Sequence, residues 1–574
     1  MHQKILIYQL FPRLFGNRNT ALIPYGSIEQ NGSGKFSDIS EKALQSIADL
    51  GFTHIWYTGI PEHATATDYH TLGISPDNPA VVKGRAGSPY AIKDYYDVDP
   101  DLASHQEKRM DEFLQLMERT HKKGLKIIID FVPNHVARNY FSDQLPEGHQ
   151  QIGKYDDPSE AFLPDNNFYY FPGKRFIVPQ EAIQQCAHYT DLLKIRPYYE
   201  YPAKASGNNC FTPSPSFNDW YETAKLNYGI DFRNTKETHF QPIPSTWKKM
   251  LDILNFWAEL GVDGFRCDMA EMVPVEFWSW VIPKIKTSNK SVLFIAEIYN
   301  PAQYNAYIHR GKFDFLYDKV GLYDALRALT EGHGTVTAIT AAWQQLGGND
   351  HHMLRFMENH DEQRIASRFF AGDPFKGLPA MVVATLLHQG PVLVYNGQEL
   401  GEPGDSHAGF SGDDGRTTIF DYWSMPAVQR WNNKGAFNEE ALEEKEKVLR
   451  RYYKALLQLC NTHPSIASGE FYDLLWLNPH LEKQRIYAFL RHTKNEILCV
   501  VASFLPTVCN TSLTIAPHAC EACGIPEAKT LSMQQCFPPG KNNESRITKN
   551  NNGFVLPIEI PPYGASVFLI TRDQ

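Results

Sequence analysis

From the first residues to about residue 470, short apolar runs alternate with segments of helical amphipathic period. Residues 4–9, 54–57, 125–131, 262–267, 292–297, 313–317, 353–358 and 391–395 read as strands, each short, apolar and bounded by turn residues. Helical patterns at 40–50, 106–123 and 245–260 separate several of them, and Gly51 and Gly124 stop the first two. Strand and helix in turn build a parallel sheet, because a parallel pair needs a crossover long enough for a helix. Eight such units close into a (β/α)8 TIM barrel of the α/β class. An open doubly wound sheet is the competing arrangement, but no G-x-G-x-x-G loop follows an early strand.

The alternation breaks in two places. Residues 137–226 show no sustained period and are rich in Tyr, Phe, Pro, Asn and Asp. Structureless loops of that length are rare inside a domain, so the segment reads as a subdomain inserted after the third strand. A charged helix at 439–460 then closes the barrel. Beyond it, β-rich runs at 485–491, 497–504, 511–515 and 554–570 are divided by Gly, Pro and Asn turns. They predict a C-terminal antiparallel β-sandwich domain, with the polar stretch 541–552 as a flexible loop. The division expected is 1–136 and 227–470 for the barrel, 137–226 for the insert and 471–574 for the all-β domain.

A net charge of −10 gives no pull toward nucleic acid or an anionic membrane. The longest apolar run, 380–395, is interrupted by His388, Gln389 and Pro391 and is no membrane span. The N-terminus enters a strand without a signal peptide's apolar region, and nine scattered cysteines sit mostly in apolar surroundings. Both features point to a cytoplasmic protein with reduced thiols. An aromatic share of 13% suits a sugar ligand, whose C–H faces pack on rings, as well as it suits a large core.

In a barrel the site lies where the strands end. The third strand runs out in Asp130-Phe-Val-Pro-Asn134-His135, the fourth in Arg266-Cys-Asp268, the fifth in Ala296-Glu297 and the seventh in Glu358-Asn-His360-Asp361. Four acidic strand ends on one face would repel one another and resist desolvation if they served only a core. Arg266 and Asp268, two apart on a strand, project to one side. The guanidinium is therefore expected to lower the Asp268 pKa, which suits an ionised nucleophile. Glu297 follows the apolar run Leu293-Phe-Ile-Ala296, which should raise its pKa and keep its proton. One ionised and one protonated carboxyl are what cleavage of a glycosidic bond requires. Metal-assisted hydrolysis would want clustered histidines such as H-x-H at a strand end, and none stands there.

These segments resemble the α-amylase family of retaining glycoside hydrolases. Asp130–His135, Gly264-Phe-Arg-Cys-Asp268, Phe294-Ile-Ala-Glu297 and Phe356-Met-Glu-Asn-His-Asp361 are similar, in order and spacing, to its four signature regions. Tyr8-Gln-Leu-Phe-Pro-Arg13, Ser88-Pro-Tyr90-Ala-Ile-Lys-Asp94-Tyr95 and Gly390-Pro-Val-Leu-Val-Tyr-Asn-Gly397-Gln-Glu399 resemble further segments of the family. The resemblance spans roughly residues 1–470.

It implies Asp268 as nucleophile, Glu297 as general acid/base and Asp361 as the residue that steadies the oxocarbenium-like state. Arg266 would orient Asp268, His135 and His360 would hydrogen-bond the sugar, and Tyr90 would stack on it. Arg364 either reaches a sugar or pairs with a nearby acid. Asp130 would brace Arg266. The implied activity is hydrolysis of α-glucosidic bonds in α-glucans or maltooligosaccharides, with no cofactor required. A transglycosylase or isomerase on the same bonds is the alternative, and a non-catalytic sugar- or partner-binding protein of this fold is another. One departure stands out: Glu271 and Met272 occupy the places where many amylases carry Lys-His. Since that histidine's carbonyl helps hold the family's structural calcium, Asn134 is left as half of a calcium site. Trp220-Tyr-Glu222 and Phe168-Tyr-Tyr-Phe171 read equally as sugar platforms or as subdomain core.

Overall fold

Eight parallel strands pair in a ring: β1 (Leu6–Leu10), β2 (His54–Tyr57), β3 (Lys126–Phe131), β4 (Gly264–Cys267), β5 (Leu293–Ala296), β6 (Phe315–Tyr317), β7 (Met353–Leu354) and β8 (Val392–Tyr395). The structure is a computed structural model and describes residues 3–189, 192, 196–525, 528–539 and 544–572. Neighbours in sequence are neighbours in the sheet, and β8 returns to β1. The last gap is bridged at Arg355, whose N–H donates to the Pro391 carbonyl (3.0 Å) and whose carbonyl accepts from Leu393 N–H (2.9 Å). β7 is shorter than the expected 353–358, because the chain leaves the sheet after that single bridge and Glu358 turns to meet Arg364.

Strand side chains alternate between two packing clusters, as a period of two demands. Ile7, Trp56, Ile128, Ile295, Leu354 and Leu393 fill the barrel's interior. Tyr8, Ile55, Ile129, Phe265, Phe294 and Val394 belong to the larger cluster under the helices. Glu41–Ala48, Arg109–Lys122, Ser245–Glu259 and Val275–Ser288 supply early crossovers, and Leu378–Leu386, buried at every position, leads into β8. The first is started by Ser40, whose hydroxyl accepts from Ala43 N–H at 3.3 Å. Among the described residues no helix is long and apolar enough to cross a membrane. All nine cysteines are free.

The chain leaves the barrel through His135–Ala137 and returns through Thr223–Lys225, two antiparallel strands that set His135 opposite Lys225. Between them a small core forms around Phe176, Ala203 and Tyr221. The C-terminal region is an eight-stranded antiparallel sheet. Its strand Glu544–Asn550 corrects the loop expected at 541–552, whose first three residues lie outside the described ones. The strand was hidden because Ile547 alone is buried in a run of exposed polar residues, so the alternation has one apolar beat.

The long helix Glu444–Thr462 joins the two regions, and just past it His463 Nδ1 lies 2.8 Å from Glu496 Oε2. Hydrogen bonds to Cys536 and Glu496, outweighing burial, push His463 up to about 9. A raised histidine stabilises the fold fully below its unfolded value of about 6.5 and loses that contribution as pH rises through 9. The melting-temperature gap between the native chain and His463→Gln is therefore expected to be widest at pH 6 and to close by about pH 9.5. A gap that stays constant over that range would remove the charge from the account.

Candidate active site

The barrel's inward positions continue past the apolar layer into polar residues: Ile7 to Gln9, Ile128 to Asp130, Ile295 to Glu297. On β4 the inward series is Gly264, Arg266 and then Asp268. The register sets Arg266 opposite Asp130 on β3 and opposite Ile295, two residues before Glu297, on β5. A single guanidinium thus stands among three acids from three strands. Arg266 Nη1 donates to Asp268 Oδ1 at 2.7 Å and lies 3.5 Å from Asp130 Oδ1. Its Nη2 forms an ion pair with Glu297 Oε2 at 2.8 Å. Its Nε donates to Tyr317 Oη at 3.0 Å, and the rings of Trp56, Tyr90 and Tyr317 surround it. The side chain is fully buried.

Above this cluster opens a cavity of about 360 Å³. Asp268, Glu297 and Asp361 all reach its wall, with Tyr90 and His135. Tyr90 is brought in by a turn at Gly87, where φ is +79° and a Cβ would fall 1.7 Å from the Ala64 carbonyl oxygen. Its ring stacks on His360 at 5.2 Å. His135 is buried and packs against Trp220; burial, with Lys225 and Lys83 nearby, lowers it to about 3 and keeps the ring neutral.

Some of the candidate residues lie outside the cavity wall. His360 is wholly buried and outside the cavity wall; its ring nitrogens meet Gln9 (2.8 Å), Tyr90 Oη (2.5 Å) and Asp361 Oδ2 (3.0 Å). It holds Tyr90 and Asp361, both cavity residues, in place. Arg364 is also buried outside the wall; it pairs with Glu358 at 2.9 Å and donates to the Asn396 carbonyl at 3.1 Å, so of its two readings the acid pairing stands. Asp130 likewise stays beneath the cavity, bound by Trp56 Nε1 at 3.1 Å and Gly59 N–H at 3.2 Å.

The electrostatics differ from the sequence reading. Burial raises the Asp268 carboxyl well above the usual range; Arg266 opposes this, but Glu297 adds to it. Three acids share one cation, and its single charge does not offset them all. Glu297 does not sit in the apolar setting read from its strand. Its Oε2 accepts from Met269 N–H at 2.8 Å and its Oε1 from Tyr299 O–H at 2.7 Å. Met269 reaches it by adopting φ 43°, ψ 44°, a left-handed conformation rare for a side chain of this size. For Asp361 burial is outweighed by the charge and hydrogen bond of His360 and the charges of Arg266 and Arg416, which take its carboxyl down to about 2.

Several wall residues escaped the sequence reading: Lys83, Met269, Tyr299 and Phe420. Tyr299 alone left a signal, standing two places after Glu297. Trp220 and Glu222 line the cavity while Tyr221 between them is core, and Lys83 pairs with Glu222 at 3.1 Å. Phe168–Phe171 pack into the insert instead. Glu271, the departure from the family pattern, accepts from the N–H groups of Tyr299 (3.2 Å) and Asn300 (3.1 Å), bracing the loop behind Glu297. Asn134 Oδ1 accepts from Lys225 Nζ at 2.6 Å, so a lysine side chain already occupies the one oxygen a calcium would use there. These residues do not fit a calcium.

The family model for the alpha-amylase catalytic domain matches residues 9–469. Alpha-amylase 3 of Dictyoglomus thermophilum is 24% identical over 403 residues, covering 66% of this chain and 68% of that protein. The cyclomaltodextrinase of Thermoanaerobacter pseudethanolicus is 21% identical over 510 residues, covering 86% and 69%. Among solved structures, the alpha-amylase of Geobacillus thermoleovorans complexed with acarbose shares the fold, with a TM-score of 0.63 at 17% identity over 100% of both chains.

Proposed function

Because this chain belongs to the alpha-amylase family of glycoside hydrolases, we propose that it cleaves α-glucosidic bonds in α-glucans or maltooligosaccharides by double displacement. Asp268 attacks the anomeric carbon and forms a glucosyl ester; Glu297 protonates the leaving oxygen and then takes a proton from water. The observation that carries this reading is the bridging of Asp268 and Glu297 by the two terminal nitrogens of Arg266. Oxygens held on one planar guanidinium are close neighbours. That favours the spacing of about 5–5.5 Å typical of retaining enzymes over the 6.5–9.5 Å of inverting ones. Asp361, kept ionised, faces the positive charge that develops on the sugar ring. Tyr90 supplies a face for the ring. No calcium at Asn134 is needed, since Lys225 holds that side chain in place.

Proton NMR during hydrolysis of maltotetraose tests the mechanism. The first reducing ends released are expected in the α form, before mutarotation. Initial β product would exclude double displacement, and products longer than the substrate would move the assignment to transfer.

A further inference from the structure

We propose that Glu62, Asp97 and Asp143 form a calcium site outside the sugar cavity. Glu62 lies on the strand Pro61–His63, which pairs with Ile92–Val98, the strand that carries Asp97. The ladder shifts register on both sides of Glu62. Asp143 comes from the chain just beyond the barrel's exit at Ala137. One carboxylate oxygen from each lies within 4.8 Å of the others, and none of the three lines the cavity. Three atoms so placed always have a point between them within about 2.8 Å of each, close to the 2.3–2.6 Å of a calcium–oxygen bond.

A cluster of acids is common without an ion; Glu62 makes this one different. It is 1% exposed, and neither of its carboxylate oxygens has a hydrogen-bond partner. Buried acids are ordinarily satisfied by donors or by a cation. The neighbours do not supply one. Arg109 donates to Asp97 Oδ2 at 2.8 Å and lies 3.8 Å from Asp143. Lys93 is turned to Asp77, at 2.9 Å. Asp94, also close by, accepts from the N–H groups of Tyr96 and Gln144. Asp97 Oδ1 accepts from Val98 N–H and Asp143 Oδ2 from Gln144 Nε2. One guanidinium against Glu62, Asp97 and Asp143 leaves two negative charges, which a divalent cation balances.

The donor set selects the ion. All the donors are carboxylate oxygens, with no histidine or cysteine in the group, which suits a hard cation rather than zinc or copper. Magnesium dehydrates reluctantly and favours one or two carboxylates with several waters; three fixed carboxylates in an irregular cage suit calcium. Asp143 is 15% exposed and gives the ion a way in and room for water ligands. The ion would tie the segment following Tyr90 to the first turn of the insert, and so stiffen one edge of the cavity.

The rival occupant is a proton. Burial, with Asp143, Asp94 and Asp97 nearby, raises Glu62 to about 9, and a protonated Glu62 would need no metal. The full-length chain, freed of metal with EGTA, separates the two by calorimetric titration with calcium chloride and by thermal melting. One calcium per chain is expected, with a rise in melting temperature on the order of 3 °C at a hundredfold excess over Kd. Magnesium should shift it much less. Glu62→Gln should weaken calcium at least tenfold without lowering the metal-free melting temperature; should that variant misfold, Asp143→Asn, on the more exposed arm, carries the comparison. No bound calcium, or binding that neither substitution weakens, overturns the proposal.

Discussion

Asp268→Asn is expected to lower kcat/KM on maltooligosaccharides by on the order of 10⁴-fold while leaving the melting temperature unchanged or slightly raised. The two effects part because the side chain has two surroundings. Toward the cavity its carboxylate would be the attacking group in the proposed mechanism, and an amide oxygen forms no glycosyl ester. Toward the barrel it is one of three acids around Arg266, with Asp130 and Glu297. The amide is nearly the same size and its oxygen still accepts from Arg266, so removing one charge relieves repulsion that burial makes costly. A purely structural Asp268 would show the opposite pattern, with stability lost and activity largely kept. Near-normal turnover in this variant refutes the assignment.

Arg266→Met carries the largest expected loss of stability. The guanidinium is fully buried, and without it Asp130, Asp268 and Glu297 lack their shared cation. Breaking a buried ion network by removing one partner costs about 3–5 kcal/mol, read as a fall in the denaturation midpoint. Activity should fall as well, with a change in its pH dependence. Arg266 opposes the burial that raises Asp268, so its loss moves deprotonation of Asp268 to higher pH. The acid limb of kcat/KM in any residual activity shifts upward with it. Adding Asp268→Asn to Arg266→Met should recover part of the stability, because one of the stranded charges is gone. If the double variant is no more stable than Arg266→Met, mutual repulsion is not what destabilises the single one.

Much of this is legible in the amino-acid sequence. Buried strands announce themselves by apolar runs, and a side-chain period of two placed Arg266 and Asp268 together. The lone apolar beat of Ile547 hides a strand for the same reason: the pattern is carried by burial, and a strand with a single buried side chain has little of it. The depth of His360 and Arg364 is not legible in the sequence, because a motif gives a position along the chain and not a depth. Whether a polar side chain ends in the wall or beneath it depends on partners such as Gln9 and Glu358, which the motif does not name.

What the sequence settled by itself was local: eight buried strands, their acidic ends, and which neighbours along each strand share a side. Only the tertiary structure brought Arg266 to Glu297, turned the Met269 N–H toward that carboxylate, set Lys225 on Asn134 and left Glu62 without a donor. The reason is physical. Periodicity and propensity act over a few residues, whereas the charge state of a buried acid follows from the summed field of every group packed around it, most of them far away along the chain.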